Sequence, residues 1–321
     1  MNNALNHNGS REGRGLTIEV SHVTKRYGKN VVVDELSFVV RPGRVTGFLG
    51  PNGSGKSTTM KIMLDLASAD AGDVAIGGVR YRDLPDPARA VGVLLEANAC
   101  HPGRSGRNHL RILADATGIP TERVDQLLDQ VGLAPAANRH VGGYSLGMRQ
   151  RLGLAAAMLG DPPVLILDEP GNGLDPQGMR ELRELLRHRA ESGDTVLVSS
   201  HLLAEMEHVA DDLVVINHGR LVTSGPLADL RQSAFLVRTP CPELLREVLL
   251  AAGGVVVPTD PDTLVVRILS MDEIGEQAFR AGIPIYELAS QSGSLEDLFL
   301  DWTSDARDGV NAGPRVKERV R

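Results

Sequence analysis

The sequence predicts an α/β fold with a parallel central sheet, followed by a smaller α+β domain. Three observations predict it. From Leu16 to about Ser233, short β-branched runs alternate with amphipathic stretches, the pattern of strands and their covering helices. Val164–Leu167 is wholly apolar, and Thr195–Ser199 is similar, as expected of strands buried on both faces in a parallel sheet. From Ala234 onward the element order becomes β-α-β-β-α-β, that of a small ferredoxin-like unit.

The elements follow in chain order. Residues 1–15 are polar and lack the apolar core of a signal peptide, so they read as a disordered tail. Val45–Leu49 reads as a strand. Lys56–Leu66 reads as a helix, with Met60, Met63 and Leu64 on one face. Between about residues 97 and 160 strand signals fade and helical spacing dominates, which predicts an inserted helical subdomain. Leu213–Ile216 and Arg220–Thr223 flank Asn217-His218-Gly219, a good hairpin turn. The main domain is expected over 16–233 and the accessory domain over 234–303. In the latter, Phe235–Thr239, Gly254–Val257, Leu264–Ile268 and Ile283–Leu288 read as strands, and Pro242–Ala252 and Met271–Ala281 as helices. A closing helix is expected over Leu295–Trp302, with Ser294 as its N-cap, before a second tail over 304–321.

Composition narrows the function. A length of 321 residues suits one large domain plus a smaller one. The net charge of −7 speaks against a general nucleic-acid binder. The two cysteines, Cys100 and Cys241, have no partner motif, which fits a reducing compartment without a disulfide framework or zinc site. No apolar run approaches the roughly 18 residues that span a bilayer. The expected location is therefore the cytoplasm, with any membrane role passing through a partner.

Gly50-Pro-Asn-Gly-Ser-Gly55-Lys56-Ser57 matches G-x-x-x-x-G-K-[ST]. Triphosphate oxygens need several converging donors. Glycines let the backbone turn and point its N–H groups inward, and the helix that follows adds its positive end. Lys56 can reach the β- and γ-phosphates, and the Ser57 hydroxyl can ligate Mg²⁺. This chain's own frequencies give roughly 0.006 such matches by accident, so ATP with Mg²⁺ is the expected cofactor pair. The second signal is the apolar strand that ends in Asp168-Glu169. Asp168 can hold Mg²⁺ or its waters beside the phosphate loop, and Glu169 can orient or deprotonate the attacking water.

With these two motifs in order, the chain resembles the ATP-binding subunits of ABC transporters from about Val20 to Gly225. Ser145-Leu146-Gly147-Met148-Arg149-Gln150 stands at the family's signature stretch, where Ser-Gly-Gly-Gln is usual. Gly173-Leu174-Asp175-Pro176 resembles the D-loop, Ser199-Ser200-His201 the H-loop, and Tyr27 the aromatic residue that stacks on adenine. The Q-loop glutamine is replaced by Glu96, and Ala99-Cys100-His101-Pro102 follows where one bacterial branch usually has aromatics. The resemblance implies a P-loop cassette with a parallel sheet core, an antiparallel β subdomain and a helical subdomain. It implies that Tyr27, Gly50, Pro51, Asn52, Gly53, Ser54, Gly55, Lys56, Ser57, Thr58, Glu96, Ser145, Gly147 and Asp175 contact nucleotide. Lys56, Glu169 and His201 would then be catalytic, and Ser57, Asp168 and Glu96 the metal ligands.

The implied partners are a second copy, paired head to tail around ATP, and a membrane permease on a separate chain. The implied location is the inner face of the cell membrane. The variant signature and Glu96 resemble the branch that exports drugs or antibiotics. A soluble ABC-type ATPase acting on nucleic acid or ribosomes is the alternative, but such relatives usually carry two cassettes, coiled coils or zinc-binding cysteines. A small-molecule kinase would leave Ser145–Gln150, Asp175 and His201 unexplained.

Overall fold

The computed structural model describes residues 14–95, 100–231, 235–267 and 269–290. Glu96, the expected closing helix over Leu295–Trp302 and the tail over 304–321 lie outside the described residues. The chain divides into two compact units between Ser224 and Gly225, ahead of the boundary expected at Ser233.

The first unit opens with strands β1 (Ile18–Tyr27), β2 (Asn30–Val40) and β3 (Arg44–Leu49), then helix α1 (Lys56–Met63) and β4 (Ala71–Ile76). A short helix α2 (Pro87–Ala90) leads into β5 (Val91–Leu94). Helices α3 (Gly106–Thr117), α4 (Glu122–Gln130) and α5 (Leu146–Ala157) precede β6 (Val164–Leu167), α6 (Pro176–Glu191) and β7 (Thr195–Ser200). Helix α7 (Leu203–Met206) and strands β8 (Asp212–Asn217) and β9 (Arg220–Pro226) complete it.

Two sheets form. The strands β2-β1-β4 make an antiparallel three-stranded sheet, and β5-β6-β7-β3-β8-β9 a six-stranded one. Within the latter, β5, β6, β7, β3 and β8 run parallel. All four residues of β6 are fully buried, which explains the absence of alternation in its sequence. Phe38 of β2 packs on Phe48 of β3 with ring centroids 5.3 Å apart, so one apolar cluster joins the two sheets. His218 and Gly219 both have positive φ (47° and 79°), the type I′ geometry the hairpin between β8 and β9 requires.

The polar N-terminal segment needs a correction. Arg14 and Gly15 are anchored and not tail. Arg14 pairs with Asp161 at 2.8 Å and with the fully buried Asp194 at 2.6 Å, and Gly15 N–H donates to Gly193 O. Arg189 also pairs with Asp161 and Asp194, at 2.6 and 2.7 Å. The isolated sequence could not show that two acids far along the chain converge on Arg14.

The second unit begins with α8 (Leu227–Arg231) and continues with β10 (Phe235–Arg238), α9 (Pro242–Ala251), β11 (Val255–Asp260), β12 (Thr263–Arg267), α10 (Met271–Arg280) and β13 (Glu287–Ser290). Its sheet order, β11-β12-β10-β13, is wholly antiparallel, as in a split βαβ unit. Its last strand starts later than the expected Ile283. Pro284 has no N–H to give a ladder, and its carbonyl accepts from the Thr239 hydroxyl instead. Ile283 is buried in the unit's own core, so its apolar character marks packing and not strand.

Candidate functional site

Strand β3 lies in the middle of the parallel sheet, between β7 and β8, and the segment after its C-terminal end turns into α1. That is where open α/β sheets bind ligands. Gly53 and Gly55 have φ of 82° and 105°, which residues with a Cβ rarely adopt. At Gly50 a Cβ would come within 2.4 Å of Ile216 O, and at Gly55 within 2.7 Å of Val32 O. The loop is pinned by Ser54 N–H to Pro51 O at 3.1 Å and Gly219 N–H to Ser54 O at 2.9 Å. Thr59 adds a third tie, donating its hydroxyl to Gly55 O at 2.9 Å. Of the residues after the glycines, Ser57 is exposed and Thr58 half-buried.

The Lys56 ammonium is buried and curls over the loop, donating to Gly50 O at 2.6 Å and Pro51 O at 3.3 Å. It stands 4.0 Å from Glu169 Oε1. Burial pulls its pKa below the ordinary lysine value, while the charges of Glu169 and Asp168 oppose the shift. A desolvated cation between weak carbonyl partners gains strongly from a phosphate anion.

Register brings the acidic pair to the same end of the sheet. Leu167 of β6 lies beside Val198 of β7, so the next residues, Asp168 and Ser199, also meet. The Ser199 hydroxyl donates to Asp168 Oδ1 and accepts the Glu169 N–H at 2.9 Å. Glu169 itself has φ of 48°. This left-handed turn sends its carboxylate away from that of Asp168 and toward His201, whose Nδ1 lies 2.8 Å from Glu169 Oε2. An ionised Glu169 assigns the Nδ1 proton to His201 and fixes the ring. The Glu169 carbonyl accepts from Gln150 Nε2 at 2.6 Å.

Ser57 and Asp168 offer hard oxygen donors, which suit Mg²⁺. No group of three or more acidic, histidine or cysteine residues among the described residues forms a metal cage. A cation here must complete its shell with phosphate oxygens and water, the usual mode for Mg²⁺ with a nucleotide.

A second set of residues gathers at the start of α5. Ser145 N-caps this helix, its hydroxyl accepting the Met148 N–H at 3.2 Å. Gly147 abuts the loop after Glu169, and a Cβ there would be 2.7 Å from Gly173 O. Asp175 N-caps α6 by accepting the Gly178 N–H at 2.9 Å. Arg151 pairs with Glu181 at 2.9 Å, lies 3.9 Å from Asp175, and donates to Val131 O at 3.1 Å. Leu146 is exposed, as is Tyr27, whose ring carries the Lys25 ammonium 5.3 Å from its centroid.

A family model described as ABC transporter matches residues 33–172, and a domain of unknown function matches residues 233–296. An uncharacterized ABC transporter ATP-binding protein of Bacillus subtilis (strain 168), YhcH, is 36% identical over 307 residues, covering 91% of this chain and 98% of its own. The chain belongs to the ABC transporter ATP-binding proteins. The bacitracin transport ATP-binding protein BcrA of Enterococcus faecalis is 39% identical over 67% of this chain and 71% of its own. A solved ATP-binding subunit of an ABC transporter superposes with a TM-score of 0.62 at 32% identity, over 67% of this chain and 91% of that one.

As an ABC ATP-binding protein, the chain binds ATP and hydrolyses it. Its cassette brings Lys56, Asp168, Glu169 and His201 into one cluster, and sets Ser145 and Gly147 at the start of α5, with Asp175 at the start of α6 3.9 Å from Arg151 of α5. Sequence reasoning missed Ser199 and Gln150, which hold the acidic pair. Ser199 was findable, because its place at the end of a strand beside β6 puts it opposite Asp168. Gln150 sat inside the signature stretch, but nothing in the residue order said what its amide holds.

Proposed function

We propose that this ATP-binding protein powers an exporter of an antibiotic or similar compound, through a permease on a separate chain. In this reading two copies pair head to tail, at the inner face of the cell membrane. The observation that carries the catalytic assignment is the Glu169 carboxylate, held 2.8 Å from His201 and 4.0 Å from Lys56. Glu169 takes the proton of the attacking water, and His201 holds that carboxylate and contacts the γ-phosphate. Lys56 leaves the carbonyls of Gly50 and Pro51 to bind β- and γ-phosphate oxygens, joined by the Gly50–Thr58 backbone. Ser57 and Asp168 would hold Mg²⁺, which would supply positive charge against the phosphates. Tyr27 offers its exposed ring to adenine.

Pairing is supported by the surface at the start of α5. Ser145 and Gly147 start a helix whose N-terminal N–H groups suit a phosphate, and exposed Leu146 beside them suits an interface. Each stretch would cover the ATP on the opposite copy, with Asp175 crossing between them. Export of an antibiotic rests on the likeness to the bacitracin transport protein. No described helix is long and apolar enough to cross a membrane, so the reading needs a permease on another chain.

Glu169→Gln tests the assignment. Its turnover is expected to fall by about a hundredfold or more, the lower range for loss of a general base, with ATP affinity within a few-fold of the parent. Steady-state hydrolysis and fluorescent-nucleotide titration read the two quantities. Turnover near that of the parent would remove Glu169 from the role.

A further inference from the structure

We propose that Gln150 is a positioning residue for the Glu169 carboxylate, and that through it α5 links the ATP site of one copy to that of its partner. This rests on the assignment of Glu169 above. The geometry starts with the Glu169 peptide. Its φ of 48° is rare for a residue with a Cβ and persists only where neighbours hold it. Three do: Ser199 Oγ takes the N–H at 2.9 Å, Gln150 Nε2 gives to the carbonyl at 2.6 Å, and within the turn itself the Asn172 N–H gives to the same carbonyl at 3.2 Å. The first comes from the sheet. The second comes from the helix that begins at Ser145.

Gln150 is badly placed for stability alone. It is 4% exposed on a helix whose other buried residues, among them Leu152 and Leu154, are apolar. Its Oε1 is buried without a hydrogen-bond partner. An apolar side chain of that size would avoid an unmet acceptor. Turning the amide over would set two acceptors face to face, so Nε2 must point at Glu169. The amide therefore serves what it holds. Gly147, one turn earlier, rests against the far end of the same loop at Gly173. A shift of α5 when its N-terminus meets a phosphate on the partner thus acts on the Glu169 backbone of its own copy. Hydrolysis in one site then depends on closure of the other.

Gln150→Leu and Gln150→Met both keep the side chain close to its volume and remove the donor. Steady-state hydrolysis, fluorescent-nucleotide affinity and ATP-driven pairing by light scattering are measured on the full chain, alongside Glu169→Gln. Expected is at least a tenfold fall in kcat in the variants that fold, with affinity and pairing within about twofold of the parent. Gln150→Asn, which keeps the donor on a shorter arm, should recover part of the loss. A kcat within twofold of the parent overturns the proposal, and so does a loss matched by equal loss of affinity or pairing. Neither result touches Glu169, whose assignment fails only if Glu169→Gln turns over normally.

Discussion

Single residues carry the chemistry, and their environments decide how. Burial lowers the pKa of the Lys56 ammonium against the opposing charges of Glu169, 4.0 Å away, and Asp168, and its hydrogen bonds go to backbone carbonyls, so bound phosphate offers it stronger charge-assisted bonds. Lys56→Ala removes a charge-assisted contact of about 1.5–3 kcal/mol, an expected weakening of ATP affinity by tenfold or more in nucleotide titration. His201→Ala frees the Glu169 carboxylate, and kcat should drop well before affinity does. Asp161 is tuned for structure. Burial works to raise its pKa, but hydrogen bonds from Arg14 and Arg189 prevail and hold it at about 2. A depressed carboxylate stabilises the fold above its unfolded value near 4 and loses that contribution as pH falls toward 2. Urea midpoints should therefore decline over that window, and Asp161→Asn should flatten that part of the decline.

Elements position these residues. The loop from Gly50 to Gly55 takes its shape from β3 and α1, and its glycine requirement was visible in the contiguous motif, although the atoms a Cβ would strike at Gly50 and Gly55, Ile216 O and Val32 O, are brought near only by packing. Helix α5 is similar. Its signature stretch from Ser145 was legible, but its contacts to the 169–175 loop come from residues brought together only by packing. Gly147→Ala tests that packing: its Cβ would fall 2.7 Å from Gly173 O, and the loop must shift. ATP binding to Gly50–Ser57 should survive, while ATP-driven pairing and turnover fall together, read by light scattering and hydrolysis on one sample.

At the scale of the whole molecule, the expected pairing makes activity depend on concentration. Specific ATPase activity should rise with protein concentration below the dissociation constant of the pair, then level off. A flat profile at the lowest measurable concentrations, with a monomer confirmed by light scattering, would argue that one copy holds a complete site. The second unit has its own apolar core around Val237, Leu249, Leu264 and Ile274.

The sequence by itself determined the parallel sheet, the phosphate loop, the acidic pair and the family, because each depends on contiguous residues whose spacing is the signal. It also marked the split βαβ order of the second unit, since each strand and helix there has its own periodicity. Only the tertiary structure decided which groups touch. The register of β6 against β7 set Ser199 between Asp168 and Glu169, and α5 laid Gln150 under the Glu169 carbonyl. Arg14 left its expected tail for Asp161 and Asp194, and Ile283 left its expected strand for the core. In each case the partners lie far apart in the chain or compete with an equally apolar alternative, and hydrogen-bond geometry settles the choice only after the chain has packed.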